Sequence, residues 1–136
     1  MKNLPIQEIM SSQVQKLDVS DDVIEAKRLM EDHQINHLPI MNENQLVGII
    51  SSNDISQIEY LCDFIGEKLE RSGVFRSLSL EEIMTKDVVS LNAQDSLAEA
   101  IKIFSNVSFQ SLPVLDEGQL IGIVTAKDVF RSINFD

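Results

Sequence analysis

The sequence predicts an α/β fold of the α+β kind, two pseudo-symmetric β-α-β-β-α repeats in one chain of 136 residues. Three observations predict it. A shift of 74 residues lays the chain on itself without a gap, placing Ile9-Met10 on Ile83-Met84, Leu17 on Leu91 and Glu25-Ala26 on Glu99-Ala100. The same shift puts Leu38-Pro39 on Leu112-Pro113, Gly48-Ile49 on Gly122-Ile123 and Asp54 on Asp128. Within each copy, apolar runs of strand length alternate with stretches of helical period, and each copy closes on a glycine-containing strand that runs into Ser/Thr-x-x-Asp.

Each element follows from local chemistry. Ser79-x-x-Glu82 is a capping box ahead of Ile83-Met84, and Asn3 with Pro5 opens the first copy in a weaker form. A strand is expected at Val14–Leu17 and again at Val88–Leu91. Asp22-x-x-Glu25 and Ser96-x-x-Glu99 then start amphipathic helices, with Val23, Ala26 and Met30 on one apolar face and Leu97, Ala100, Ile101 and Phe104 on the other. Leu38–Met41 and Leu112–Leu115 read as second strands, turning at Asn44 and Gly118, the residue types that best tolerate positive φ. The third strands are Gln45–Ile50 and Gln119–Val124. Leu17, Leu46, Ile49, Leu91, Leu120 and Ile123 are expected to be buried.

After Asp54 a stripe of Ile55, Ile58, Cys62, Ile65 and Leu69 continues the helix, widened by Leu61 and Phe64. It is expected to run through Gly66 and stop at Ser72-Gly73. The expected organisation is repeat 1 with this extended helix over 1–72, a linker over 73–78 and repeat 2 over 79–136. The width of the stripe points to a homodimer.

Composition removes several classes. Hydrophobic residues make up 43% of the chain and charged residues 24%, an ordinary globular balance. No apolar run reaches the roughly 18 residues of a spanning helix, and the N-terminus has no signal-like core, so a cytoplasmic protein without a membrane partner is expected. A formal net charge of −11 opposes nucleic acid. The single cysteine, Cys62, excludes an internal disulfide. His33 and His37 stand four apart, but Asn36 and Pro39 end the helix between them and no third ligand is evident, so no metal site is expected. Neither a phosphate-binding glycine loop nor a nucleophile with its base is present, so no catalytic residues are assigned.

Two copies of an Ile-Met-Ser/Thr start, a Leu-Pro-aliphatic strand and a Gly-apolar-apolar-Ser/Thr-x-x-Asp ending resemble a pair of CBS domains, the Bateman module. The resemblance covers nearly the whole chain. It implies two repeats packed sheet to sheet as one compact unit, a non-enzymatic regulatory sensor with no catalytic or transport domain attached, an often dimeric state, and an unknown regulated protein. It also implies an adenosine-containing ligand in the cleft between the paired repeats: AMP, ADP or ATP, with Mg as an accompanying cation. Carried over by motif, the ribose-binding carboxylates fall on Asp128 and Asp54, and the hydroxyls that contact ribose or phosphate on Thr125 and Ser51. His37 and Ser111 take the position before Leu-Pro, from which the family often points a side chain into the cleft.

A carboxylate that accepts from both hydroxyls of a ribose diol fits Asp128 and Asp54 on chemical grounds as well. A helix cap alone also accounts for Ser/Thr-x-x-Asp, and it would recur equally well. Two alternatives therefore stand beside the nucleotide sensor: a ligand-free dimerisation or protein-interaction module, and a binder of S-adenosylmethionine or NAD. Among phosphorylated ligands, Lys127, Arg131 and Lys86 are expected to favour the Thr125–Asp128 cleft, leaving the Ser51–Asp54 cleft weaker or suited to a less charged derivative.

Overall fold

The computed structural model describes residues 4–73, 77–108 and 110–133, so Asn3 and residues 74–76 of the expected linker lie outside the described residues. Each repeat forms a three-stranded sheet. In the first, β1 (Leu17–Asp18) runs parallel to β2 (His37–Asn42), which pairs antiparallel with β3 (Gln45–Ser51). In the second, β4 (Leu91–Asn92), β5 (Ser111–Asp116) and β6 (Gln119–Thr125) repeat that order and register. The helices are α1 (Val23–His33), α2 (Ser52–Phe64), α3 (Leu80–Ile83), α4 (Leu97–Asn106) and α5 (Ala126–Ser132). A 3-10 turn at Ile6–Glu8 corresponds to α3 at the start of the other repeat.

The chain forms two compact units whose borders differ from those of the repeats. One unit is Gln15–Val88; the other joins Met1–Val14 to Val89–Asp136. Each therefore holds one repeat's sheet and the opening segment of the other repeat. Backbone pairing shows the exchange: Ser11 bridges Ile123 and Pro5 bridges Ser96, while Thr85 bridges Ile49 and Ser79 bridges Asp22. These bridges are related by the repeat shift. Ile49 gives its N–H to Thr85 at 3.0 Å and accepts from it at 2.9 Å, so its backbone polar groups face away from β2. Pro39, opposite Ile49, consequently needs no N–H on that edge. Ile123, Ser11 and Pro113 repeat the arrangement.

Close packing explains the glycines. A Cβ on Gly48 would lie 2.3 Å from Met84 Sδ, and one on Gly122 would lie 2.3 Å from Met10 Sδ. The Ile-Met of each opening segment thus lies across the glycine of the sheet it joins. Each unit has its own apolar cluster. Leu17, Val23, Leu38, Ile40, Ile50, Leu80 and Met84 belong to one, and Ile6, Leu91, Leu97, Leu112, Val114 and Val124 to the other.

Several sequence expectations need correction. Leu17 and Leu91 are buried, but Ile49 and Ile123 are only half-buried, because Gly48, Ile50, Gly122 and Val124 take the inward positions of β3 and β6, and Leu46 and Leu120, beyond the register shift in each hairpin, are half-buried too. The first strands are two residues each and begin at Leu17 and Leu91. The second hairpin carries positive φ at Glu117 and Gly118, as a two-residue primed turn requires, whereas in the first Glu43, not Asn44, is the left-handed residue. α2 does not run through Gly66. It ends at Phe64, and Gly66, at φ +80°, donates to Asp63 O while Glu67 donates to Cys62 O, which closes a Schellman motif. Ile55, Ile58 and Cys62 face the core, whereas Tyr60, Leu61, Phe64 and Ile65 remain exposed.

Candidate ligand-binding sites

The two Ser/Thr-x-x-Asp motifs stand where a third strand becomes a helix. Ser51 is the N-cap of α2 and Thr125 the N-cap of α5. Asp54 N–H donates to Ser51 Oγ at 3.2 Å and Ser51 N–H to Asp54 Oδ2 at 2.8 Å. In the other unit Asp128 N–H donates to Thr125 Oγ1 at 3.0 Å and Thr125 N–H to Asp128 Oδ2 at 2.9 Å. Both motifs are therefore complete capping boxes. Capping engages one carboxylate oxygen of each aspartate; no donor among the described residues meets Oδ1 of either. Both aspartates are half-buried, so Oδ1 is a fixed acceptor on a rigid helix start.

Across the sheet, His37 is in register with Ser51 and Ser111 with Thr125. Directly opposed residues of an antiparallel pair project from the same face, so each capping hydroxyl has one of these side chains as its neighbour. Ser111 is 4% exposed, and its Oγ has no hydrogen-bond partner among the described residues. A buried hydroxyl left unpaired costs about 1–3 kcal/mol. Burial lowers the His37 imidazole from its ordinary value, and the negative charge of Asp54 partly opposes that shift.

The expected cations are distributed differently from the sequence reading. Lys127 and Arg131 are exposed on α5, in the unit of Thr125 and Asp128. Lys86 does not join them. It follows Thr85, which bonds to Ile49, so it belongs to the unit of Ser51 and Asp54. Its counterpart by the repeat shift, Ser12, follows Ser11 in the Thr125–Asp128 unit. The exchange of opening segments is the physical reason. The charge contrast drawn from sequence therefore loses Lys86 on one side and gains it on the other. Thr85 and Ser11, which sequence reasoning left without a partner, prove to be the edge residues beside β3 and β6.

This arrangement, a pair of sheet-helix units each closed by a capped aspartate, belongs to a known class. Residues 6–59 and 80–134 match the model of the CBS domain, and the chain belongs to that family, with two CBS repeats. It is 40% identical over 111 residues to an inosine-5'-monophosphate dehydrogenase of Korarchaeum cryptofilum, which covers 81% of this chain and 20% of the enzyme. It is 31% identical to a homoserine O-acetyltransferase of Methanohalobium evestigatum over 94% of this chain and 24% of that one. The chain thus spans about a fifth to a quarter of those enzymes. Among solved structures, the CBS domain pair of protein MJ0100 in complex with 5'-methylthioadenosine and S-adenosyl-L-methionine aligns with a TM-score of 0.77 at 27% identity, covering 96% of this chain and 95% of that one. Protein MJ1225 of Methanocaldococcus jannaschii aligns with a TM-score of 0.79 at 27% identity, over 96% of this chain and 48% of that one. CBSX2, solved in complex with AMP, shares the fold at a TM-score of 0.73 and 22% identity, each chain covered to 95%. No helix among the described residues is long and apolar enough to cross a membrane.

Proposed function

We propose that this chain is a non-enzymatic regulatory module that binds an adenosine-containing ligand, with Asp128 or Asp54 holding the ribose and Thr125 or Ser51 beside it. The observation that carries this reading is the Ser111 hydroxyl, buried opposite Thr125 without a partner among the described residues. A protein that leaves such a group unpaired gains when a ligand polar atom meets it. The free Oδ1 of Asp128 lies on the same motif and can accept from a ribose hydroxyl. Family membership supports the ligand class, since the MJ0100 pair was solved with two adenosine compounds. On this reading the Thr125–Asp128 site is the tighter one. Lys127 and Arg131 remain available to a phosphate, and Mg has a role only if chelation weakens binding.

Thermal melts with AMP, ADP, ATP, S-adenosylmethionine and NAD test the reading. A ligand at about a hundred times its dissociation constant stabilises the folded state by roughly 2.7 kcal/mol, well within reach of a melt. Asp128→Asn, which keeps an oxygen for the cap but loses the charge, is expected to remove most of that shift, and Asp54→Asn less of it. No shift with any of these compounds would refute the adenosine reading.

A second reading, the ligand-free interaction module, draws on a different observation. Tyr60, Leu61, Phe64 and Ile65 are 71%, 49%, 82% and 53% exposed on or next to α2, an apolar surface that a second copy of the chain would cover. We propose the homodimer on this ground in either case. Light scattering of the wild type and of Phe64→Asp tests it, with a monomer mass for the wild type as the refuting result.

A further inference from the structure

The helices that follow the two capping boxes carry opposite charge. Apart from the capping Asp54, the charged residues of α2 are Glu59 and Asp63; apart from the capping Asp128, those of α5 are Lys127 and Arg131. By the repeat shift Lys127, Phe130 and Arg131 stand where the first copy has Asn53, Ser56 and Gln57, so the shared fold does not require the contrast. Both helices also expose large apolar side chains. Tyr60, Leu61 and Phe64 stand out from α2 near Asp63, and Phe130, 63% exposed, stands out from α5 beside Arg131. Resting on the homodimer reading above, we infer that two copies pair head to tail, with the acidic, aromatic face of α2 on one copy against the basic face of α5 on the other.

Charge decides among the pairings that a two-fold dimer allows. Setting α2 against α2 of the partner copy brings Glu59 and Asp63 onto their own equivalents, and setting α5 against α5 does the same to Lys127 and Arg131. Like charges across an interface oppose association, whereas opposite charges fix its register. A chain of net charge −11 already repels a second copy, so the contact that gathers the cations of one copy on the acids of the other has the advantage. The side chains stand ready for it. Lys127, Arg131 and Asp63 are exposed, and no ion pair among the described residues engages them. Glu59 is held by Lys27 at 3.0 Å, so Asp63 is the acid left for the partner's α5. Tyr60, Leu61, Phe64 and Phe130 supply the apolar area such a contact buries. Two-fold symmetry makes the contact occur twice. Arginine and lysine each carry several donors, so a partner carboxylate still leaves donors for a phosphate at the Thr125–Asp128 site.

Charge reversal tests the pairing, read as the dimer dissociation constant in analytical ultracentrifugation. Asp63 and Arg131 are both exposed, so Asp63→Lys and Arg131→Glu are expected to leave the fold intact. Each alone should weaken the dimer about tenfold, because the reversal strikes both symmetry-related contacts. The chain carrying both substitutions restores opposite charges and should return close to the wild-type constant. Pairing of α2 with α2 predicts no loss in either single variant, since a like-charged pair stays like-charged. That result, with the wild type dimeric, would overturn the inference and leave the homodimer reading intact. Disulfide capture gives a second measurement. Tyr60→Cys mixed with Phe130→Cys under mild oxidation should link one chain of each kind, and Cys62, the single native cysteine, is buried and does not compete. A Tyr60→Cys chain that links to its own kind instead would overturn the head-to-tail pairing. A monomer mass for the wild type would overturn both the pairing and the homodimer.

Discussion

The two units of this molecule are built alike down to single backbone hydrogen bonds and unlike in most of their side chains. Both use an exchanged opening segment, a methionine laid over a glycine, a proline opposite a strand residue that bonds outward, and a capping box at the last helix. Among the differences are His37 against Ser111, Ser51 against Thr125, and Lys86 against Ser12. Features that recur hold the fold, since each satisfies a backbone group or fills a core. Of those that differ, His37 against Ser111 and Ser51 against Thr125 stand beside the capped aspartates.

Breaking the exchange should have the largest effect. Separating the chain within 73–78 takes Leu80 and Met84 from one core and Ile6 from the other, each at most 9% exposed. Burying one such side chain contributes about 1.5–3 kcal/mol, and each fragment also loses the edge bonds of Thr85 or Ser11. Against a typical total of roughly 5–15 kcal/mol, neither fragment is expected to melt cooperatively alone, and mixing them should restore the transition seen by circular dichroism. A fragment 79–136 that folds by itself would show that the exchanged segment is ornamental.

The glycines sharpen the comparison at smaller scale. At Gly122 an added Cβ would meet Met10 and also, at 2.9 Å, the backbone oxygen of Ser11, whereas at Gly48 its three nearest atoms all belong to the Met84 side chain. A side chain can turn away where a bonded backbone cannot. Gly122→Ala is therefore expected to lose more stability than Gly48→Ala in urea titrations, within the roughly 1–3 kcal/mol typical of overpacking.

Much of this was legible in the sequence because it is local. Ser/Thr-x-x-Asp specifies a cap within four residues, and the repeat register carried the sheets, helices and hairpins. The exchange of opening segments was not legible, for a physical reason. In a chain that repeats itself, Met10 fits Gly48 as well as Gly122 by pattern, so sequence register leaves the two pairings equivalent. That ambiguity misplaced Lys86. The turn at Glu43 differs from the sequence reading because an asparagine signals positive φ without saying which neighbour adopts it, and the end of α2 differs because the apolar stripe continues past Gly66, which at φ +80° closes the helix. The orphaned hydroxyl of Ser111 left no trace in sequence at all, because burial without a partner is a property of packing.

The smallest expected effect is one of pH, and it belongs to a single unit. The folded-state pKa of His37 lies below its ordinary value of 6.5, so the unfolded chain binds the proton more readily. Stability from this group is complete above that ordinary value and is lost as pH falls through it toward the folded pKa. His37→Ser should reduce the acid-induced loss in the free protein. An unchanged pH profile of stability would remove His37 from the account.

The most direct test of the central claim, that the position opposite Thr125 faces a ligand, is a melt of Ser111→Ala with and without AMP, read against the wild type. Removing an unpaired buried hydroxyl relieves a cost of about 1–3 kcal/mol, so the free variant should melt at or above the wild-type temperature while its response to AMP shrinks. A variant that melts lower when free, yet keeps the full wild-type response to AMP, would contradict the claim and make Ser111 a residue of the fold alone.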